Sequence, residues 1–137
     1  MILLTFNDGD KNKLKNKKLL LIDDDEEIQY VVNLALSSEG YNVLIANNGF
    51  EGISILRDNS LLISCIVLDL QMPVMDGSET IKRIRLLDNH KLTPIILSSG
   101  QEEVDDEDMK SCQFFLKKPV DLSKLYEVVK KATMNNP

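Results

Sequence analysis

The sequence predicts an α/β fold, a doubly wound parallel sheet with helices on both faces. Three observations predict it. Short apolar runs recur and stop at carboxylates, turns or small residues, the pattern of strands buried on both faces. Between them lie stretches whose apolar residues fall three and four apart, the stripe of a core-facing helix. The two kinds of segment alternate, so successive strands run parallel and are joined by crossover helices.

The first strand is Lys18 to Asp23, with Leu19-Leu20-Leu21-Ile22 as its buried run. Asp25, Glu26 and Glu27 open a helix, where negative charge suits the positive end of the dipole. Ile28, Val31, Val32, Ala35 and Leu36 form its apolar stripe, and Gly40 ends it in a left-handed cap. Tyr41 to Ala46 is a second strand, Asn47-Asn48-Gly49 a turn, and Phe50 to Arg57 a short helix. Leu61 to Asp69 is the third strand, and Asp76-Gly77 closes the loop after it. A helix follows over Ser78 to Leu87, with Ile81, Ile84 and Leu87 on one side. Pro94 to Ser98 and Gln113 to Lys117 are strands four and five. Asp121 caps a last helix whose stripe is Leu125, Val128, Val129 and Ala132.

The segment between strands four and five is unusual. Six carboxylates crowd seven positions from Glu102 to Asp108, with Val104, Met109 and Cys112 as the apolar anchors. Like charges at i, i+4 each destabilise a helix by roughly 0.2–0.5 kcal/mol. A shortened, labile fourth helix is expected.

The chain has 137 residues, 43% of them apolar, and a net charge of −6. That is one core's worth of apolar material, and the acidity argues against direct nucleic-acid binding. Residues 1–17, rich in Lys, Asn and Asp, read as a flexible leader, and 18–137 as the domain. Met1–Leu4 is apolar, but Asn7, Asp8 and Asp10 follow too soon for a signal-peptide core. No run is long enough to span a membrane, and a cytoplasmic location is expected. Cys65 and Cys112 lack metal or redox spacing and read as small buried hydrophobes. His90 reads as a solvated loop residue.

The chemistry concentrates at strand ends. Asp23 and Asp24 finish the first strand and Asp69 the third. Right-handed crossovers bring all strand carboxyl ends to one edge, where open α/β folds bind ligands. Two unit charges 4 Å apart repel by roughly 4 kcal/mol at an effective dielectric of 20, so three carboxylates need a counter-charge. An all-oxygen set suits Mg²⁺. Strand four ends in the hydroxyls of Ser98 and Ser99. Strand five ends in Lys117-Lys118-Pro119, so that either lysine can face the acids.

Together these residues resemble the receiver domain of two-component response regulators. The resemblance rests on Leu21-Ile22-Asp23-Asp24-Asp25, on Leu68-Asp69-Leu70-Gln71-Met72-Pro73 with Asp76-Gly77, on Pro94-Ile95-Ile96-Leu97-Ser98-Ser99-Gly100, and on Phe115-Leu116-Lys117-Lys118-Pro119. It spans Lys18 to Met134. It implies a flavodoxin-like, five-stranded parallel sheet of order 2-1-3-4-5. It also implies that Asp69 accepts a phosphoryl group from a sensor histidine kinase or a histidine phosphotransfer protein. Mg²⁺ (or Mn²⁺) would be held by Asp24, Asp69 and the Gln71 backbone carbonyl, with Asp23 acting through water.

By the same resemblance Lys118, rather than Lys117, contacts the phosphoryl group, and the Lys118–Pro119 bond is cis. Ser99 and Phe115 form the switch, with Phe in place of the usual Tyr. Gln71 and Gln101 tune phosphoryl lifetime. Such a domain catalyses its own phosphorylation and slow dephosphorylation and signals to a downstream protein. No DNA-binding motif follows the last helix, which favours a phosphorelay intermediate or a protein-binding regulator. Two rivals are a docking module that is never phosphorylated and a haloacid-dehalogenase-like phosphatase. The latter needs an acid two residues beyond its nucleophile, where this chain has Gln71.

Overall fold

The computed structural model describes residues 17–101 and 104–134. The leader and Glu102–Glu103 lie outside the described residues, apart from Lys17. Elements alternate in the expected order: β1 (Lys18–Ile22), α1 (Glu26–Ser38), β2 (Asn42–Ala46), α2 (Gly49–Leu56), β3 (Ile63–Asp69), α3 (Gly77–Leu86), a 3₁₀ turn (Asp88–His90), β4 (Ile95–Ser99), α4 (Asp106–Ser111), β5 (Phe114–Lys117) and α5 (Leu122–Met134). The five strands form one sheet of order β2-β1-β3-β4-β5, all neighbours parallel.

Alternation along each strand feeds two cores. Leu19, Leu21, Val67 and Ile96 pack with Val32, Leu36, Leu125 and Val129 under α1 and α5. Leu20, Ile22, Ile66, Leu68, Ile95 and Leu97 pack with Ile53, Ile81 and Ile84 under α2 and α3. Because both faces are covered, Leu19–Ile22, Cys65–Leu68 and Ile95–Leu97 are continuous apolar runs. Gly40 adopts φ 100° beyond α1, as its cap role requires. Gly77 opens α3 against β3's exit: a Cβ there would lie 2.6 Å from the Leu70 Cα, so no other residue lets the helix start that close.

Three sequence-based expectations need correction or refinement. Gly49 is the first residue of α2 rather than a turn glycine, with Asn48 as the cap accepting from Glu51 N at 2.9 Å. His90 is buried, at 5% exposure. Its Nε2 bonds the Leu56 carbonyl at 3.1 Å and its Nδ1 the Thr93 hydroxyl at 2.9 Å. A carbonyl only accepts, so Nε2 carries the proton and Nδ1 accepts. Burial holds the His90 pKa below its ordinary value, which suits the neutral ring.

The fourth helix is short, at six residues. It is nevertheless tied to α3 at two points. Ser78 Oγ donates to the buried Asp108 at 2.5 Å, and Arg85 donates to the Ser111 carbonyl through Nε (3.2 Å) and an NH₂ group (2.6 Å). Cys65 is fully buried and Cys112 half-buried, and burial pushes both thiols up to about 12, so neither supplies a thiolate at neutral pH. No helix among the described residues is long and apolar enough to cross a membrane.

Candidate functional site

The carboxyl edge of the sheet is where the polar residues converge. β1 and β3 are adjacent, so Asp23, Asp24 and Asp69 leave neighbouring strands side by side. Each offers a carboxylate oxygen, and the three oxygens lie within 4.8 Å of one another. Asp23 and Asp69 are buried, at 2% and 3% exposure, while Asp24 is exposed. The Asp25 backbone N–H donates to Asp23 Oδ1 at 2.9 Å and the Gln71 backbone N–H to Asp69 Oδ1 at 3.0 Å. Each bond fixes a carboxylate through the peptide two residues on.

Lys118 enters from the exit of β5. Its Nζ stands 3.2 Å from Asp69 Oδ1 and 3.6 Å from Asp23 Oδ2. Its backbone N–H donates to the Ser99 carbonyl at 2.8 Å, which extends the β4–β5 ladder by one bond, and the Lys118–Pro119 peptide is cis. Lys117 is exposed, so the open choice between the two lysines falls on Lys118. Burial pushes the carboxyl pKa values of both Asp23 and Asp69 up. The backbone donors and Lys118 oppose that shift without cancelling it. Among the described residues one ammonium pairs with two of the three carboxylates, which leaves the site short of positive charge.

The remaining expected residues ring this centre. Ser99 is fully buried and its Oγ accepts from the Gln101 N–H at 3.0 Å. Ser98 pairs with Asp69 in register, and alternation sends it with Ile96 toward α1 and α5, whereas Ser99 follows Leu97. Gln71 is exposed, and its Oε1 lies 3.6 Å from where a Cβ on Gly100 would sit. Gln71 and Gln101 share a cavity of about 490 Å³ with Asp76, Asp105 and Asp108. Phe115 is half-buried against the core that contains Leu97.

Two features of this edge had no visible sequence signal. Val74, in the loop after Asp69, adopts φ 73° and is 82% exposed. The Met75 N–H donates across it to the Pro73 carbonyl at 2.8 Å, a three-residue turn. A β-branched residue in that region costs roughly 1–3 kcal/mol, strain that accumulates at functional loops. The second feature is Gln29, whose amide Nε2 donates to the Asp23 carbonyl at 2.6 Å and to Asn47 Oδ1 at 2.8 Å.

Three oxygens from carboxylates on rigid strand exits, with an exposed side toward Asp24, form a hard donor set that a divalent cation fits. Residues 19–130 match the response regulator receiver domain family. The chain belongs to that family. Sporulation initiation phosphotransferase F of Bacillus subtilis is 28% identical over 120 residues, covering 86% of this chain and 94% of that protein. The CpxR homolog of Haemophilus influenzae is 38% identical over 88 residues. The chain spans about 37% of the length of that regulator and of YkoG from Bacillus subtilis, and 64% of itself in each match. The chemotaxis response regulator CheY4 of Vibrio cholerae superposes with a TM-score of 0.78 at 26% identity, covering 86% of this chain and 99% of that one. The Francisella response regulator 1452 receiver domain does so with a TM-score of 0.78 at 27% identity, over 88% and 98%. The chain is therefore a receiver domain of two-component or phosphorelay signalling, a class that interacts with histidine kinases or phosphotransfer proteins.

Proposed function

We propose that this receiver domain accepts a phosphoryl group on Asp69 from a phosphohistidine of a partner kinase or phosphotransfer protein. The observation that carries the reading is the charge deficit at the sheet edge: among the described residues, three carboxylates lie within 4.8 Å with one lysine between two of them. A stable structural cluster would carry enough counter-charge to satisfy itself.

Asp24, Asp69 and the Gln71 backbone carbonyl would hold Mg²⁺ or Mn²⁺, with Asp23 acting through a water. When bound, the ion neutralises charge on the transferring phosphoryl oxygens. An Asp69 oxygen attacks phosphorus, the P–O bond forms as the P–N bond to the donor imidazole breaks, and the imidazole leaves with that electron pair. Lys118 balances negative charge as the phosphoryl group arrives, at the cost of its bond to Asp69. Ser99 turns its hydroxyl from the Gln101 N–H toward the phosphoryl oxygens, and Phe115 shifts inward behind it, a change of population between two packings. Gln71 and Gln101 line the approach of the hydrolytic water and set the lifetime of the phosphorylated state.

An apolar groove beside Lys118, lined by Ile28, Val31, Pro119, Val120 and Leu122, supports docking of the donor within reach of Asp69. The net charge of −6 disfavours nucleic acid as a direct partner, and a cytoplasmic protein target is the better reading. The test is intact mass after incubation with acetyl phosphate and Mg²⁺. The wild type should gain one phosphate and Asp69→Asn none. A wild type that gains nothing would instead favour a docking module, and an unchanged gain in Asp69→Asn would place the acceptor elsewhere.

A further inference from the structure

The carbonyl of the Asp23–Asp24 peptide at the acid pocket is held by a side chain from outside it, Gln29. The last β1–β2 ladder bond runs from the Asp23 N–H to the Ala46 carbonyl, 3.1 Å. Beyond it the two strands part. Asn48 caps α2 with its side chain, and among the described residues no backbone N–H continues the ladder to the Asp23 carbonyl. Gln29, half-buried in the second turn of α1, takes that place: Nε2 donates to the Asp23 carbonyl at 2.6 Å and, with its second hydrogen, to Asn47 Oδ1 at 2.8 Å.

The chemistry dictates the orientation of each amide. The Asp23 carbonyl only accepts, so the Gln29 nitrogen must face it. At the far end the Glu51 carboxylate accepts from Asn47 Nδ2 at 3.3 Å and from the Asn47 backbone N–H at 3.2 Å. That leaves Asn47 Oδ1 facing Gln29. The splint from α2 to the acid loop is thus directional, and its middle member needs two donors on one terminal atom. On the other side of the same loop, the Asp25 N–H holds Asp23 Oδ1. The carbonyl and the carboxylate of Asp23 are therefore fixed by different donors, and Asp24 follows from the peptide between them.

We infer that Gln29 is a positioning residue for the acid pocket: by holding the Asp23 carbonyl to Asn47 it sets the Asp23–Asp24 peptide, so that the Asp24 carboxylate meets those of Asp23 and Asp69 within reach of one divalent cation. The inference rests on the reading of these three acids as the cation site. Groups that hold metal ligands in place typically change affinity by 10–100-fold when removed, and an exposed ligand such as Asp24 places this case at the lower end.

The test is a calorimetric Mg²⁺ titration of the full chain as wild type, Gln29→Leu, Gln29→Glu and Gln29→Arg, each paired with its thermal unfolding midpoint. Leu removes both donors and Glu turns an acceptor toward the Asp23 carbonyl. Both should weaken Mg²⁺ binding by about tenfold with a near-native midpoint, and Arg, which restores donors, should recover most of the affinity. Phosphorylation of Gln29→Leu by acetyl phosphate should return to the wild-type rate when Mg²⁺ is raised, which a general loss of structure would not allow. Wild-type affinity in Gln29→Leu would overturn the inference and leave the cation site standing. A loss of affinity that tracks a fall in midpoint and is not recovered by Arg would also overturn it. A wild type that binds no Mg²⁺ would remove the cation site and the inference together.

Discussion

Arg85 and the Asp23–Asp69 pair are charged groups partly or fully buried at opposite edges of one sheet, and they are treated in opposite ways. The Arg85 guanidinium lies where β4 and β5 begin. It donates to the carbonyls of Ser111, His90 (2.8 Å) and Thr93 (2.8 Å) and reaches Gln113 Oε1 at 3.4 Å. Gln113 in turn accepts from the Ile95 N–H at 2.8 Å. Burial lowers the Arg85 pKa from its ordinary value, yet the fork remains charged, and its partners are fixed backbone oxygens. At the carboxyl edge, two buried acids share one lysine, and burial raises their pKa values. Satisfied charge joins elements together here; the under-compensated acids are the groups that the proposed function gives to a cation and a phosphoryl group.

If that contrast is right, removing each charge should act with opposite sign on stability. Arg85→Ala should cost roughly 2–4 kcal/mol in urea unfolding, because it strips donors from three backbone carbonyls. Arg85→Lys should recover only part, since an ammonium cannot fork. Ser78→Ala should cost roughly 1–2 kcal/mol by leaving the buried Asp108 without its hydroxyl. It should also speed hydrogen exchange over residues 106–111. Asp69→Asn should give a small gain in stability without Mg²⁺, as one of three crowded charges is lost. A large loss there would mean the acids are structural after all.

Acid titration sharpens the comparison with a smaller effect. Asp23 and Asp69 have raised folded pKa values, so the native state holds protons that the unfolded chain has released. Their contribution to stability therefore grows as pH falls from their folded pKa values toward the ordinary carboxylate range, about 4. His90 has the reverse sign. Its lowered folded pKa means the unfolded chain binds the proton first, so stability falls as pH drops below about 6.5, the ordinary histidine value. Measured from pH 7.5 to 5.5, the unfolding free energy of the His90→Gln variant should lose less with falling pH than that of the wild type, because the variant lacks the His90 contribution.

What could be read from the chain follows the same division. β1, β3 and β4 are short runs buried on both faces, and their ends carry the acids and serines, so local pattern was enough to bring Asp23, Asp24, Asp69, Ser98 and Ser99 to one sheet edge. Between the two lysines the residues left the choice open; the family resemblance implied Lys118, and Lys118 is the one that faces Asp23 and Asp69. The residues that were missed act across long stretches of sequence: Arg85 with Ser111, Ser78 with Asp108, His90 with Leu56, separated by 26, 30 and 34 positions. No periodicity marks such pairs. His90 sits in a polar stretch and yet fills a buried niche, because its two ring nitrogens find partners there. In α4 the crowding of acids predicted a short helix, and the helix is short. The lability expected from the same crowding is opposed by the two ties to α3.

The most direct test of the acid edge is to locate the phosphoryl bond itself. Receiver treated with acetyl phosphate and Mg²⁺ would be reduced with borohydride, which converts an aspartyl phosphate to homoserine, and its peptides sequenced by mass spectrometry. Homoserine at position 69, with Asp23 and Asp24 intact, is the predicted result. Homoserine at position 23 or 24, or at none of the three, would contradict the assignment of Asp69 as the acceptor.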